Sequence, residues 1–142
     1  MASEITTRSA VPEVQRPRHY KDVQIWQKSM ELTKLIYKLT EKFPDAEKFG
    51  MISQMRRAAM SVPSNIAEGQ ARQGTREFLQ FLSHASGSLA ELETQVLLSG
   101  ELGFCRRADT ASVNDKIAEL QKMVAAIRRK LSAERVLVSS SH

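Results

Sequence analysis

Chemistry-bearing residues are scarce in this chain: one cysteine, three histidines, six glycines and four prolines in 142 residues. With Cys105 alone there is no intramolecular disulfide, and a reducing cytoplasm is the expected compartment. None of His19, His84 and His142 stands four residues from another histidine or closes an E-x-x-H unit, which excludes the usual zinc and di-iron designs of helical bundles. Neither G-x-x-x-x-G-K-[ST] nor G-x-G-x-x-G occurs, so the phosphate-cradling loops are missing. Ser64, Asn65 and Glu68 gather without a histidine, so a serine-hydrolase triad is not formed from them. Arg106 and Arg107 follow Cys105 and would lower its pKa, yet no base or second thiol lies near in sequence, and it reads as an incidental thiol. Neither an enzyme nor a cofactor nor a small-molecule substrate is expected. No run approaches the ~18–20 apolar residues of a membrane span, and the first residues lack the apolar core of a secretory signal.

What is present is an ordinary globular composition, 42% hydrophobic and 26% charged, of a length that suits one domain. The formal charge of +5 and pI near 9.6 point to acidic partners, nucleic acid first among them.

Residues 1–19 carry Arg8, Arg16, Arg18 and His19 among prolines and small polar residues, and read as a flexible basic arm. A first helix is expected from about Tyr20 to Lys42, stopping before Pro44. Its apolar residues form two neighbouring stripes, Trp26–Met30–Thr33–Tyr37 and Ile25–Leu32–Ile36–Leu39, which together cover about 220° of the helix. An arc that wide serves two partners. Ile25, Leu32, Ile36 and Leu39 are therefore assigned to an interface between protomers.

A second helix is expected to start near Asp45 and to kink or break at Pro63, which lacks an N–H and crowds the carbonyl of Ala59. Ser61 and Ser64 are placed to satisfy the freed groups. One face holds Met51, Met55, Ala58, Ala59, Val62 and Ile66. The polar face, with Arg57, Ser61, Ser64, Glu68 and Arg72, admits two readings. In one, Arg57, Ser64, Asn65, Glu68 and Glu93 form a network that fixes helix register. In the other, Arg56, Arg57, Arg72 and Arg76 meet phosphate.

The third helix, about Thr75 to Glu101, has the clearest pattern: Phe78, Leu82, Ala85, Leu89, Leu92 and Val96 alternate steps of four and three. Ser83, Gly87, Ala90 and Thr94 make a second, small-residue face suited to close helix approach. A fourth helix, capped at Asp109 or Thr110 and ending near Glu134, repeats the seam with Val113, Ile117, Leu120, Val124, Ile127 and Leu131. Arg128, Arg129 and Lys130 near its end either complement the helix dipole or contact phosphate. Val136 to His142 reads as a disordered tail. The fold expected is all-α: an antiparallel up-down four-helix bundle over residues 20–135.

The string Arg57-Ala58-Ala59-Met60-Ser61-Val62-Pro63-Ser64-Asn65-Ile66-Ala67-Glu68-Gly69 resembles the four-helix-bundle proteins encoded in intervening sequences of bacterial large-subunit ribosomal RNA genes. The segment from Glu77 to Thr94, the opening Tyr20-Lys21-Asp22-Val23-Gln24-Ile25-Trp26-Gln27-Lys28, Lys42-Phe43-Pro44 and Leu102-Gly103-Phe104 are similar to the same family. The resemblance spans about Tyr20 to Leu131; the arms outside it are unexplained by the family pattern. It implies an up-down bundle assembled as a ring-like homo-oligomer, a pentamer, with no catalytic residues to carry over. It further implies a role with ribosomal or other structured RNA. The expectation is thus a non-enzymatic, oligomeric RNA-binding protein. The alternative is a protein-interaction scaffold with no nucleic-acid role.

Overall fold

A computed structural model describes the backbone of residues 20–140 and the side chains of residues 22–137. The expected basic arm, residues 1–19, lies outside the described residues. Four helices carry the fold: α1 (Tyr20–Thr40), α2 (Met51–Ala71), α3 (Thr75–Glu101) and α4 (Arg107–Ser140). A single 3-10 turn, Asp45–Glu47, joins α1 to α2, and Gly50 stands at the N-terminus of α2. Each helix packs on its neighbours in sequence, and α4 returns to α1, closing an antiparallel up-down four-helix bundle.

The two heptad seams become the centre of the core. All six apolar seam residues of α3 are fully buried, and the six of α4 are nearly so. Burying each leucine, isoleucine or phenylalanine contributes about 1.5–3 kcal/mol, which is what holds these long helices together. From α2 the core takes Met55, Ala58, Ala59, Val62 and Ile66. The small pair Ala58–Ala59 lets α1 come close.

On α1 the structure corrects the sequence-based assignment of faces. Ile25, Leu32 and Ile36 are 0%, 2% and 0% exposed inside the protomer's own core, so none of the three is free for another protomer, while Leu39 packs against that core and is half-buried. The inward stripe also includes Asp22, Ser29 and Thr40, all buried. Burial of the two hydroxyls is tolerated because Ser29 donates to the Trp26 carbonyl at 2.7 Å and Thr40 to that of Ile36 at 2.8 Å. The branched aliphatics thus go inward; of the other stripe, Trp26 and Met30, with Val23 beside them, stay at the surface at 36–37% exposure, while Thr33 and Tyr37 are half-buried against α2.

Pro63 does not break α2, which is continuous and buries the proline ring. The Ala59 carbonyl, deprived of its N–H partner, is met from α1: the Thr33 hydroxyl shares its proton between its own Ser29 carbonyl at 2.8 Å and Ala59 O at 3.1 Å. Neither Ser61 nor Ser64 serves it. Ser61 donates to the Ala58 carbonyl and pairs with the Ser88 hydroxyl of α3.

At the α2–α3 turn the helices approach so closely that a Cβ on Gly69 would fall 2.7 Å from Phe78 and 2.8 Å from Phe81. The small-residue face of α3 is different. Ser83, Gly87, Ala90 and Thr94 are exposed, and a Cβ on Gly87 would meet nothing within 4 Å. It is not the packing face expected of it. Helix α4 starts at Arg107 and runs to Ser140, so residues 136–140 are helical where a disordered tail was expected.

Candidate nucleic-acid interface

Seven cationic residues singled out in the sequence fall into three groups. Arg56 belongs to the fold. Its guanidinium lies over the Tyr37 ring at 4.4 Å, and it donates to the Thr40 hydroxyl at 2.9 Å and the Tyr37 carbonyl at 3.2 Å. It thereby adds a donor to the C-terminal turn of α1, where the Tyr37 carbonyl also accepts the Glu41 N–H at 3.2 Å. A nucleic-acid contact is not available to it without giving up those bonds.

Arg57 stands alone on the exposed face of α2. The expected network of Arg57, Ser64, Asn65, Glu68 and Glu93 does not form. Ser64 and Glu93 are exposed, Asn65 donates to the Ser61 carbonyl at 2.7 Å, and Glu68 pairs within its own helix. Interhelical register is instead fixed by contacts that spacing did not reveal: Thr33 on Ala59, the Ser61–Ser88 hydroxyls, Gln70 donating to the Asp22 carbonyl at 2.6 Å, and Ser86 with Gln121.

Arg72, Arg76, Arg128, Arg129 and Lys130 form the third group, and the bundle brings them to one end. The Ser86 hydroxyl donates to Gln121 Oε1 at 3.0 Å and the Gln121 amide to the Ser86 carbonyl at 3.1 Å, which sets α3 against α4. Moving about 15 Å down each antiparallel helix, at ~1.5 Å per residue, places Arg76 level with Leu131. Arg129 and Lys130 lie just before that level. Arg72 reaches the same end from α2, with its guanidinium 5.3 Å from the Phe81 ring centre and 3.2 Å from Glu68. That ion pair is half exposed, so it restrains Arg72 weakly. Arg76, Arg129 and Lys130 are exposed and bear no ion pair with any described residue; Arg128 is half-buried.

Over residues 68–77 and 128–135, six cations face three carboxylates, Glu68, Glu77 and Glu134. The surplus of three is more than half of the chain's formal +5. At the other end, opposite charges offset one another. Arg106 is held by Asp109 through Nε–Oδ2 and Nη2–Oδ1 contacts of 3.1 and 3.2 Å. This hydrogen bonding to Arg106 keeps the Asp109 carboxyl below its ordinary pKa. Arg106 is therefore not available to activate Cys105, whose pKa is raised by burial and then by Asp109, the reverse of the shift expected from its neighbours in sequence.

Among the described residues no cluster of three or more histidine, cysteine, aspartate or glutamate side chains is placed to hold a metal ion. No described helix is long and apolar enough to cross a membrane. His84 is exposed and meets the edge of Phe81 at 6.3 Å.

The chain matches the family described as 23S rRNA-intervening sequence protein over residues 21–126. That stretch includes Arg72 and Arg76 but stops before Arg128, Arg129 and Lys130. A comparison with curated proteins gave no match. Among solved structures, the chain is similar to a protein of unknown function from the S23 ribosomal protein family of Bacteroides thetaiotaomicron VPI-5482, with 26% identity and a TM-score of 0.72. The similarity covers 77% of this chain and 98% of that one. On the extent of the matched residues and the shared bundle, this chain belongs to the 23S rRNA-intervening sequence protein family.

Proposed function

We propose that the protein is a non-enzymatic homo-oligomer that binds structured RNA through the basic end of its bundle. The observation that carries this reading is the convergence of Arg72, Arg76, Arg129 and Lys130 on one end, three of them without a carboxylate partner. Cations free of internal ion pairs exchange counterions for phosphate at no cost to the fold. The cations stand on helix surfaces, which suits recognition of backbone and shape rather than sequence.

Self-association supplies the strength that a surplus of three charges lacks. The surface stripe of Val23, Trp26 and Met30 on α1 is an exposed apolar strip among the described residues. It continues onto α2 at Met60, 46% exposed, whose sulfur accepts the Tyr37 hydroxyl at 3.2 Å. Copies joined through this face would present several basic ends at once, and avidity would multiply weak contacts. A ring of five, cytoplasmic and acting on ribosomal RNA, is the form the family resemblance favours.

The test is fluorescence anisotropy with a structured RNA at several salt concentrations. Wild type binds with an affinity that falls as salt rises, and Arg76→Glu/Arg129→Glu/Lys130→Glu abolishes most of it while Arg57→Glu changes little. Undetectable binding at low salt, or affinity indifferent to salt, overturns the proposal; capture of a protein partner that survives nuclease would then favour a scaffold.

A further inference from the structure

At the opposite end from the basic cluster, α1, the α3–α4 connection and the first turns of α4 enclose an open groove of about 550 Å³. That lies within the about 300–1,000 Å³ typical of small-ligand sites. Its floor is continuous with the core. Leu39 and Phe104 pack against buried residues, Phe104 lies 5.5 Å from the Phe43 ring, and Val113 is itself a core residue. Leu35 extends the floor along α1. Its lining is cationic on balance: Lys38, Lys42 and Arg106 stand against one carboxylate, Asp109.

Three observations restrict what such a groove takes. Both oxygens of its one carboxylate, Asp109, are engaged by Arg106. The Cys105 thiol is held protonated by burial, and a thiol is a weak donor. Leu35, Leu39, Phe104 and Val113 make the floor apolar, with the Ser112 hydroxyl the one unengaged side-chain hydroxyl along it, so the groove favours a body that is mainly apolar. Lys38, Lys42 and Arg106 line the groove against one carboxylate, Asp109, on which Lys42 also acts, so a positive surplus and its mutual repulsion remain there. An anion between them relieves that repulsion. Helix α4 opens beside the groove at Arg107, so the positive end of its dipole adds to the same field.

We propose that this groove binds a small organic anion with an unbroken apolar body, of the class of medium-chain alkyl carboxylates. The chain lies on Leu35, Leu39, Phe104 and Val113, and the carboxylate sits between the Lys38 and Lys42 ammonium groups. The site is independent of the RNA reading, since it shares no residue with the basic end.

Methyl-resolved NMR of the full chain, titrated with decanoate, tests it. Decanoate shifts the Leu39 and Val113 methyl signals to saturation at one ligand per protomer. The exposed double substitution Lys38→Glu/Lys42→Glu, which leaves the core untouched, weakens that binding by about tenfold or more. Decanol, with the same chain and no charge, binds wild type and the variant alike and weakly. The proposal is overturned if decanoate gives no saturable shift. It is equally overturned if the charge-reversed variant binds as wild type does, if the shifts fall on the Met30 and Met60 methyls instead, or if a short RNA shifts the groove methyls where decanoate does not.

Discussion

Thr33 and Pro63 form a unit that single-helix reasoning cannot see. The proline removes a donor from α2, and a hydroxyl on α1, shared with its own Ser29 carbonyl, partly replaces it across the interface at 3.1 Å. Thr33→Val keeps the shape of the side chain and leaves the Ala59 carbonyl without a donor. In urea unfolding it should cost about 1–2 kcal/mol in wild type. In a Pro63→Ala background, where a backbone N–H at position 63 again serves the Ala59 carbonyl, the same change should cost less than half as much. Equal costs in both backgrounds would mean that the hydroxyl does not compensate for the proline. Two glycines make a second contrast. Gly69→Ala drives a methyl into Phe78 and Phe81 and should destabilise by about 1–3 kcal/mol. Gly87→Ala meets open space in a helix and should stabilise by about 0.5–1 kcal/mol, both read from denaturant midpoints.

At the scale of the element, the bounds and seam of α3 are legible in the sequence although its small-residue face is not, and α1 and α4 are legible only in part. Helix α3 has a single heptad seam between two glycine-bearing turns, so Thr75–Glu101 follows from periodicity and punctuation. Helix α1 offers two apolar stripes, and periodicity alone does not choose between them. The choice rests on Ser29 and Thr40, which are buriable because their hydroxyls bond back to the helix, and on Ala58–Ala59 opposite. The end of α4 reads too short from sequence because serine and charged residues also compose tails, while its helix persists to Ser140. In the candidate interface, five of the seven cations come together. Arg56 is misassigned from sequence because spacing does not show the Tyr37 ring and carbonyl, or the Thr40 hydroxyl, that it meets sixteen to nineteen residues away. Arg56→Ala should therefore cost about 1–2 kcal/mol in thermal or urea unfolding through the lost α1 terminus. Arg129→Ala should cost nearly nothing; equal losses would contradict the division between structural and free arginines.

For the whole molecule, one bundle separates its tasks by position. Two heptad seams fix the fold, the α2–α3 end gathers the free positive charge, and the α1–α2 face leaves Trp26, Met30 and Met60 at the surface. On the proposed function, copies joined through that face lend one another their basic ends. That claim is tested most directly by titrating one structured RNA against wild type and the Trp26→Glu/Met30→Glu variant over a salt series, with the mass of each protein measured by light scattering. Wild type should be oligomeric and lose affinity steeply with salt. The variant should be monomeric, bind at least about tenfold more weakly and show a shallower salt slope, because fewer phosphates are neutralised per particle. A monomeric variant that binds as tightly as wild type, with the same slope, would contradict it.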